Sequence, residues 1–116
     1  MNSEIKKLWV AALRSGKYRK AIHGLRENKN FCVLGVLCDV HAKVHENKWA
    51  KIRRDGKYWM YFDEDTSLPV SVMSWAGLHD SDPTVEADGR RVSLPELNDD
   101  TPLSFRELSN LIEASL

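Results

Sequence analysis

Cys32 is the residue of this chain whose type and position come nearest to those of a catalytic nucleophile. The sequence predicts a helix that begins beside it, and a helix dipole favours the thiolate of a cysteine in the first turn. His23 or His79 would have to act as the base, and Asn98 or Asp99 would orient that base. No local motif of a cysteine hydrolase accompanies Cys32, and a cysteine within an apolar run is usually a core thiol. We therefore expect a structural thiol, with a cysteine-dependent hydrolase as an alternative.

Cys38, His41 and His45 have the spacing of metal ligands, because separations of three and four residues place them on one face of a helix. A structural zinc site would need a fourth ligand from a distant segment, and the sequence has no HExxH pattern. Histidines near a helix C-terminus are also favoured by the helix dipole alone. We predict no metal site, no cofactor and no catalytic residue.

A basic and aromatic segment at residues 48–61 is a candidate binding surface. It interleaves cations with the aromatic residues Trp49, Tyr58, Trp59 and Tyr61. Such a segment can bind single-stranded nucleic acid, because aromatic rings stack on bases and cations contact phosphates. The alternation of side chains along a strand would instead place about half of them in the core. The residues predicted to bind are Trp49, Lys51, Arg53, Arg54 and Trp59.

The net charge of the 116-residue chain is zero, but the charges are unevenly distributed along it. Residues 1–60 carry 14 Lys or Arg against 5 Asp or Glu, and residues 61–116 carry 3 against 12. A basic half can indicate nucleic acid, and an acidic half can indicate a basic partner. Because the halves of one domain usually interleave in the fold, we expect most of this charge to be neutralised internally.

The segment from Phe31 to Val40 reads FCVLGVLCDV and predicts a buried element. It is too short to cross a bilayer, which takes about 20 apolar residues. Gly35 would let another backbone approach closely. Cys32 and Cys38 would be too far apart on a helix for a disulfide, and the N-terminus has no apolar region of a signal peptide. We therefore expect reduced thiols and a cytoplasmic protein.

Hydrophobic periodicity and capping residues predict four helices. They cover residues 3–15, 31–44, 69–76 and 104–116. Ser3 would cap the first helix and Asn30 the second, while Ser104 and Glu107 would form a capping box in the last. Pro95 opens a turn or a brief additional helix.

Two hairpins complete the predicted fold. Asp55-Gly56 would form the turn of a hairpin at residues 48–62, and Asp88-Gly89 the turn of another at 84–92. Residues 18–26 fit a short strand or an irregular connection as well as they fit a helix. The order of elements predicts one small α+β domain over residues 1–116, with about four helices packed on antiparallel hairpins.

The central segment also carries a resemblance to a known family. FCVLGVLCD at Phe31–Asp39, preceded by AALRSGKY at Ala11–Tyr18, resembles small proteins encoded by tailed phages and prophages. Later segments resemble the same family in the same order: Leu68-Pro69, Trp75-Ala-Gly-Leu78, Leu97-Asn-Asp99 and Ser104-Phe-Arg-Glu-Leu108. The resemblance implies a bacterial cytoplasm during infection or lysogeny. It implies no activity, cofactor or catalytic residue.

We therefore expect a small accessory protein of the bacterial host cytoplasm that binds a host macromolecule, foremost a host protein, and modulates host metabolism or defence. Such a protein would expose an aromatic patch, with Trp49, Trp59 or Trp75 as anchors. The alternatives are a nucleic-acid or nucleotide binder that uses residues 48–61 and a hydrolase that uses Cys32. We expect no membrane partner, and the sequence leaves the oligomeric state open.

Overall fold

Five helices and six short strands make up the described part of the chain. The computed structural model describes residues 1–51 and 56–116. The helices are α1 (Ser3–Arg14), α2 (Val33–His45), α3 (Val70–Ala76), α4 (Leu94–Asp100) and α5 (Phe105–Ser115). The strands are β1 (Arg26–Glu27), β2 (Asn30–Phe31), β3 (Ala50–Lys51), β4 (Tyr58–Met60), β5 (Thr84–Ala87) and β6 (Arg90–Ser93). These elements confirm the predicted α+β class, and none of the described helices is long and apolar enough to span a bilayer.

Helix α2 is the centre of the core, because its first six residues are all buried. The predicted start of this helix at Phe31 is wrong, since Phe31 belongs to β2 and the helix begins at Val33. Its N-cap is Cys32 and not Asn30. The backbone stays extended up to this point because the N–H of Cys32 donates to the carbonyl of Leu25 at 3.0 Å.

Helix α1 packs against both α2 and α5. Its Trp9 is fully buried, and the indole Nε1 donates to a backbone carbonyl at the start of α2 at 3.0 Å. The N-cap of α1 is Asn2, whose Oδ1 accepts two backbone N–H groups of the first turn, and not Ser3 as predicted. The predicted capping box of Ser104 and Glu107 at the start of α5 is confirmed.

The larger sheet has four antiparallel strands in the order β2-β1-β4-β3. The predicted pairing is confirmed, since β3 pairs with β4 and places Ala50 opposite Met60. The predicted bounds of 48–62 are too wide, because β4 ends at Met60 and Phe62 lies in a turn. The predicted turn residue Asp55 lies outside the described residues. The sequence does not predict the hairpin of β1 and β2, whose turn contains Asn28 at a φ of 52°.

The smaller sheet is the predicted hairpin of β5 and β6. Asp88 and Gly89 form its two-residue turn, with φ values of 51° and 79°, as the Asp-Gly pair predicts. The predicted short helix before Gly77 is α3, and the brief helix near Pro95 is α4.

The opposite charges of the two halves of the chain are only partly paired. Within the described ranges, Arg14 pairs with Glu113 at 3.2 Å, and His23 lies 3.8 Å from Asp99. The remaining ion pairs of these ranges join residues of the same half. Internal neutralisation, which we expected from the sequence, is therefore incomplete on the described surface.

Candidate functional site

One cavity of about 570 Å³ brings together residues that the sequence singles out for catalysis. Cys32, His23 and Asp99 all line it, together with Ser67 and Asp82 among others. The other candidate base, His79, lines a different cavity. Of the two histidines, His23 is therefore the one placed near the thiol.

Asn98 holds the wall of this cavity through buried hydrogen bonds. Its Oδ1 accepts the N–H of Val33 at 2.9 Å, and its Nδ2 donates to the carbonyl of Ala21 at 2.9 Å. The same Nδ2 donates to Asp99 Oδ1 at 2.8 Å. Because His23 Nδ1 lies 3.8 Å from Asp99 Oδ2, beyond hydrogen-bond distance, the carboxylate does not hold this imidazole in place. Asn98 therefore joins the start of α2 to the preceding loop and does not orient a base.

The thiol of Cys32 is not prepared for nucleophilic attack. Burial raises the pKa of Cys32 to about 12, although the N–H groups of Gly35 and Leu34 act in the opposite direction. Its Sγ accepts the Gly35 N–H at 3.3 Å and so serves as the N-cap of α2. Because the thiolate and not the thiol is the nucleophile, this raised pKa lowers the fraction of the reactive form near neutral pH. The geometry supports the structural thiol that we expected.

The histidines of the hypothetical metal cluster are engaged by other groups. His41 Nδ1 lies 2.6 Å from the Tyr61 hydroxyl, and His45 Nδ1 lies 2.9 Å from the carbonyl oxygen of His41. Burial raises the pKa of Cys38 well above its usual value. Residues 1–51 and 56–116 contain no group of three or more His, Cys, Asp or Glu side chains arranged to hold a metal ion.

Three of the five predicted binding residues lie around Arg26, which the sequence did not single out. Across the larger sheet, Arg26 is opposite both Phe31 and Trp59, and Lys51 is opposite Trp59. Directly opposed residues of antiparallel strands lie on the same face. We call Phe31, Arg26, Trp59 and Lys51 the Arg26 row. The two other predicted residues, Arg53 and Arg54, lie outside the described residues.

The guanidinium of Arg26 is surrounded by aromatic rings. Its carbon lies 4.2 Å from the ring centroid of Trp59, 5.1 Å from that of Phe31 and 5.6 Å from that of Trp49. The Lys51 ammonium lies 5.8 Å from the Trp59 centroid. Trp59 therefore contacts a cation from each of the two neighbouring strands.

Trp49 ties this region to α2. Its Nε1 donates to Asp39 Oδ1 at 3.1 Å, and its ring packs against Phe31 and Tyr61. Asp39 also accepts the Tyr18 hydroxyl at 2.5 Å. Trp49 is half-buried and hydrogen-bonded, so its role as a freely exposed anchor is not supported.

Phe62 is held in an exposed and strained conformation at a tight turn. Tyr61 and Glu64 exchange two backbone hydrogen bonds, of 2.8 and 3.1 Å, around the two residues Phe62 and Asp63. Those residues have φ values of 51° and 66°, a region that bulky side chains rarely adopt. The Phe62 side chain is nevertheless 51% exposed.

The Phe62 ring packs against a cluster of aromatic rings. The buried His41 ring makes edge contacts with Phe62 at 5.9 Å and with Trp75 at 5.0 Å, and it stacks on His45 at 4.0 Å. Burial, and then the charge of His45, lower the pKa of His41. We call Phe62, Trp75, His45, His41 and Tyr61 the Phe62 patch. Trp75, one of the three anchors expected from the sequence, belongs to it.

Negative charge adjoins the Phe62 patch. Asp63, Glu64 and Asp65 directly follow Phe62, and all three are exposed. None of the three has an ion-pair partner among the described residues. An apolar ring on this surface is thus bordered by three carboxylates that pair with no cation of residues 1–51 and 56–116.

Comparison with known proteins decides the family. The whole chain, residues 1–116, matches the model of DUF8296, a domain of unknown function. The chain belongs to this family. No curated protein and no solved structure matches the chain.

Two features of this DUF8296 chain were not predicted from its sequence. Arg26 lies in a two-residue strand without an alternating pattern, and Phe62 lies in a turn that ordinary propensities would not assign to a phenylalanine. Of the Arg26 row, the positively charged and aromatic composition of residues 48–61 singled out only Trp59 and Lys51. The run of three carboxylates after Phe62 was the sequence signal for the turn.

Proposed function

We propose that this protein is a non-enzymatic accessory protein that binds a protein of a bacterial host through the Phe62 patch. The observation that carries the proposal is the half-exposed phenylalanine at a φ of 51°. A left-handed backbone costs about 1–2 kcal/mol for a residue with a side chain. Because the Phe62 ring is half exposed, its partial burial offsets little of this cost. Backbone strain of this kind concentrates at ligand-binding positions.

The surroundings of Phe62 fit a hot spot of a protein interface. Aromatic residues dominate such hot spots, and their contribution depends on a rigid, well-packed support. Tyr61 and His41 supply that support, because the rings of both lie within 6 Å of the Phe62 ring. The half-buried Trp75 extends the apolar surface beside them.

The charge of the patch indicates the chemistry of the partner. Asp63, Glu64 and Asp65 would be left without counter-charges beside an apolar contact. Electrostatic complementarity therefore favours a partner surface with an apolar pocket bordered by Lys and Arg. An acidic partner surface would repel these carboxylates, and a uniformly apolar one would remove their hydration without replacing it.

The assignment to a bacterial host is supported by the resemblance of FCVLGVLCD, at Phe31–Asp39, to proteins of tailed phages and prophages. A phage accessory protein acts on components of the host cytoplasm, where its partner would be found. The non-enzymatic part of the proposal is supported by the raised pKa of Cys32. Modulation of host metabolism or defence would follow from occupying the partner's surface.

The experiment is affinity capture of tagged protein from bacterial cells with nuclease present, followed by quantitative mass spectrometry. Phe62→Asn removes the ring and suits the left-handed backbone, because asparagine adopts it more readily. Ile22→Asn is the matched control, since Ile22 is 46% exposed and lies outside the patch. We expect the same host protein with wild type and Ile22→Asn, but not with Phe62→Asn. Equal recovery with Phe62→Asn would overturn the proposal.

A further inference from the structure

We infer that the Arg26 row is a second binding site, which takes the phosphate groups of single-stranded nucleic acid. The site uses residues other than those of the Phe62 patch. Two cations and an aromatic ring occupy three adjacent strands there, with Arg26 and Lys51 each opposite Trp59.

The described residues use only part of the hydrogen-bonding capacity of the Arg26 guanidinium. Its Nε donates to the carbonyl of Asn28 at 2.7 Å. Its Nη groups have no hydrogen-bond acceptor in the described part of the chain, and no carboxylate there lies within ion-pair distance. The two Nη groups of a planar guanidinium can donate two parallel hydrogen bonds to the oxygens of one phosphate. Partial burial lowers the pKa of Arg26, so the desolvated charge would gain from an anionic partner.

Glu27 and Asp39, two carboxylates of the described residues, do not pair with the Nη groups of Arg26. Glu27 is the next residue of β1, and alternation places it on the opposite face, where it lies 3.8 Å from Lys57. Asp39 attracts Arg26 electrostatically but is already bound by the side chains of Trp49, Tyr18 and Lys43.

Lys51 supplies the second positive charge. It is exposed, and its ammonium contacts the same Trp59 ring as Arg26 does. The two distances to this ring, 4.2 and 5.8 Å, place the two cationic groups within 10 Å of each other. Successive phosphates of an extended strand can therefore contact both cations.

The rings favour a nucleic-acid strand over a simple anion. Proteins that bind single strands combine a cationic groove with aromatic or guanidinium planes on which bases stack. The Arg26 guanidinium carbon lies 4.2 Å from the centre of Trp59, so a cation and an aromatic ring stand side by side at the phosphate contacts. A free phosphate or a carboxylate would contact the two cations but would not contact the aromatic ring.

The test is fluorescence anisotropy of a labelled oligothymidylate of about 12 nucleotides, titrated with full-length protein at about 20–200 mM salt. Lys51→Ala removes an exposed charge. Arg26→Lys keeps the charge but loses the planar guanidinium and its paired donors. Arg91→Lys and Lys7→Ala are the matched controls, because Arg91 is satisfied by Thr84 and Lys7 lies on α1. Thermal melting of each variant verifies that it is folded.

We expect wild type and both controls to bind with an affinity that falls as salt rises. Arg26→Lys should weaken binding about tenfold, the ratio expected for a lost charged hydrogen bond. Lys51→Ala should reduce the logarithmic salt slope by about 0.7. Absence of wild-type binding at the lowest salt, or equal binding by the four variants, would overturn the inference. Inorganic polyphosphate should compete only at higher concentration, and equal competition would show an anion site without nucleic-acid recognition.

Discussion

The carbonyl oxygen of Leu25 lies against Gly35 so closely that a Cβ at position 35 would overlap it. The same carbonyl accepts the N–H of Cys32, so the loop before β1 and the first turn of α2 are joined at one point. Leu25 directly precedes Arg26. Contact between two backbones therefore sets the position of β1, the strand that carries Arg26.

Gly35→Ala should destabilise the protein by about 3 kcal/mol or more, because the new methyl group meets backbone that cannot rotate away. Chemical denaturation would measure this loss. Gly16→Ala is the control, since Gly16 has open space around it and a φ of 76°. Its cost should be only the left-handed strain of about 1–2 kcal/mol. Equal costs for the two substitutions would contradict a close contact at Gly35.

Asn98→Ala should cost about 2–4 kcal/mol, because it leaves the buried N–H of Val33 and the carbonyl of Ala21 without partners. The measurement is again the free energy of unfolding. Asp99→Ala is the comparison, since Asp99 is only partly buried and accepts a separate hydrogen bond from Asn98 Nδ2. A smaller loss for Asn98→Ala than for Asp99→Ala would show that Asn98 is not the structural link.

Stability should fall as the pH drops below about 6.5, because the lowered pKa of His41 lets the unfolded chain bind a proton before the folded chain does. This contribution is complete above pH 6.5 and is lost as the pH falls through the folded-state pKa. His41→Gln should flatten the profile in this window. If His41→Gln leaves the pH dependence of the unfolding free energy unchanged, groups other than His41 determine the loss of stability at low pH.

Stability should also fall above about pH 9, because burial holds the pKa of Cys32 near 12 while an unfolded thiol ionises normally. The expected slope is about 1.4 kcal/mol per pH unit for each such thiol, and Cys38 adds to it. Cys32→Ser should remove the contribution of one thiol to this slope. The serine should still cap α2, since serine is a preferred N-cap residue.

An esterase or thioesterase activity that disappears in Cys32→Ser would contradict the proposal that the protein is not an enzyme.

Much of the fold was predictable because its elements carry local signals. The capping box of Ser104 and Glu107, the Asp88-Gly89 turn and the close approach at Gly35 all follow from residue chemistry at one position. The start of α2 was not predictable from helical periodicity. It depends on the pairing of Phe31 with a strand two residues long.

The candidate sites were less predictable than the fold. Trp59 and Lys51 belong to a segment of distinctive composition, whereas Arg26 joins them only through strand pairing. Phe62 adopts a conformation that its residue type disfavours, so it is supported by tertiary contacts with His41 and Tyr61. Sequence propensity carries no information about such contacts.

The central claim is that Phe62 contacts a host protein, and photo-crosslinking in living bacterial cells tests it most directly. Replacement of Phe62 by p-benzoylphenylalanine keeps an aromatic ring at the position, and the same replacement of Ile22 provides the matched control. We expect one crosslinked host protein from position 62, absent from position 22 and lost when Asp63, Glu64 and Asp65 are all changed to Lys. No crosslinked protein from position 62, or the same crosslinks from both positions, would contradict the proposed function.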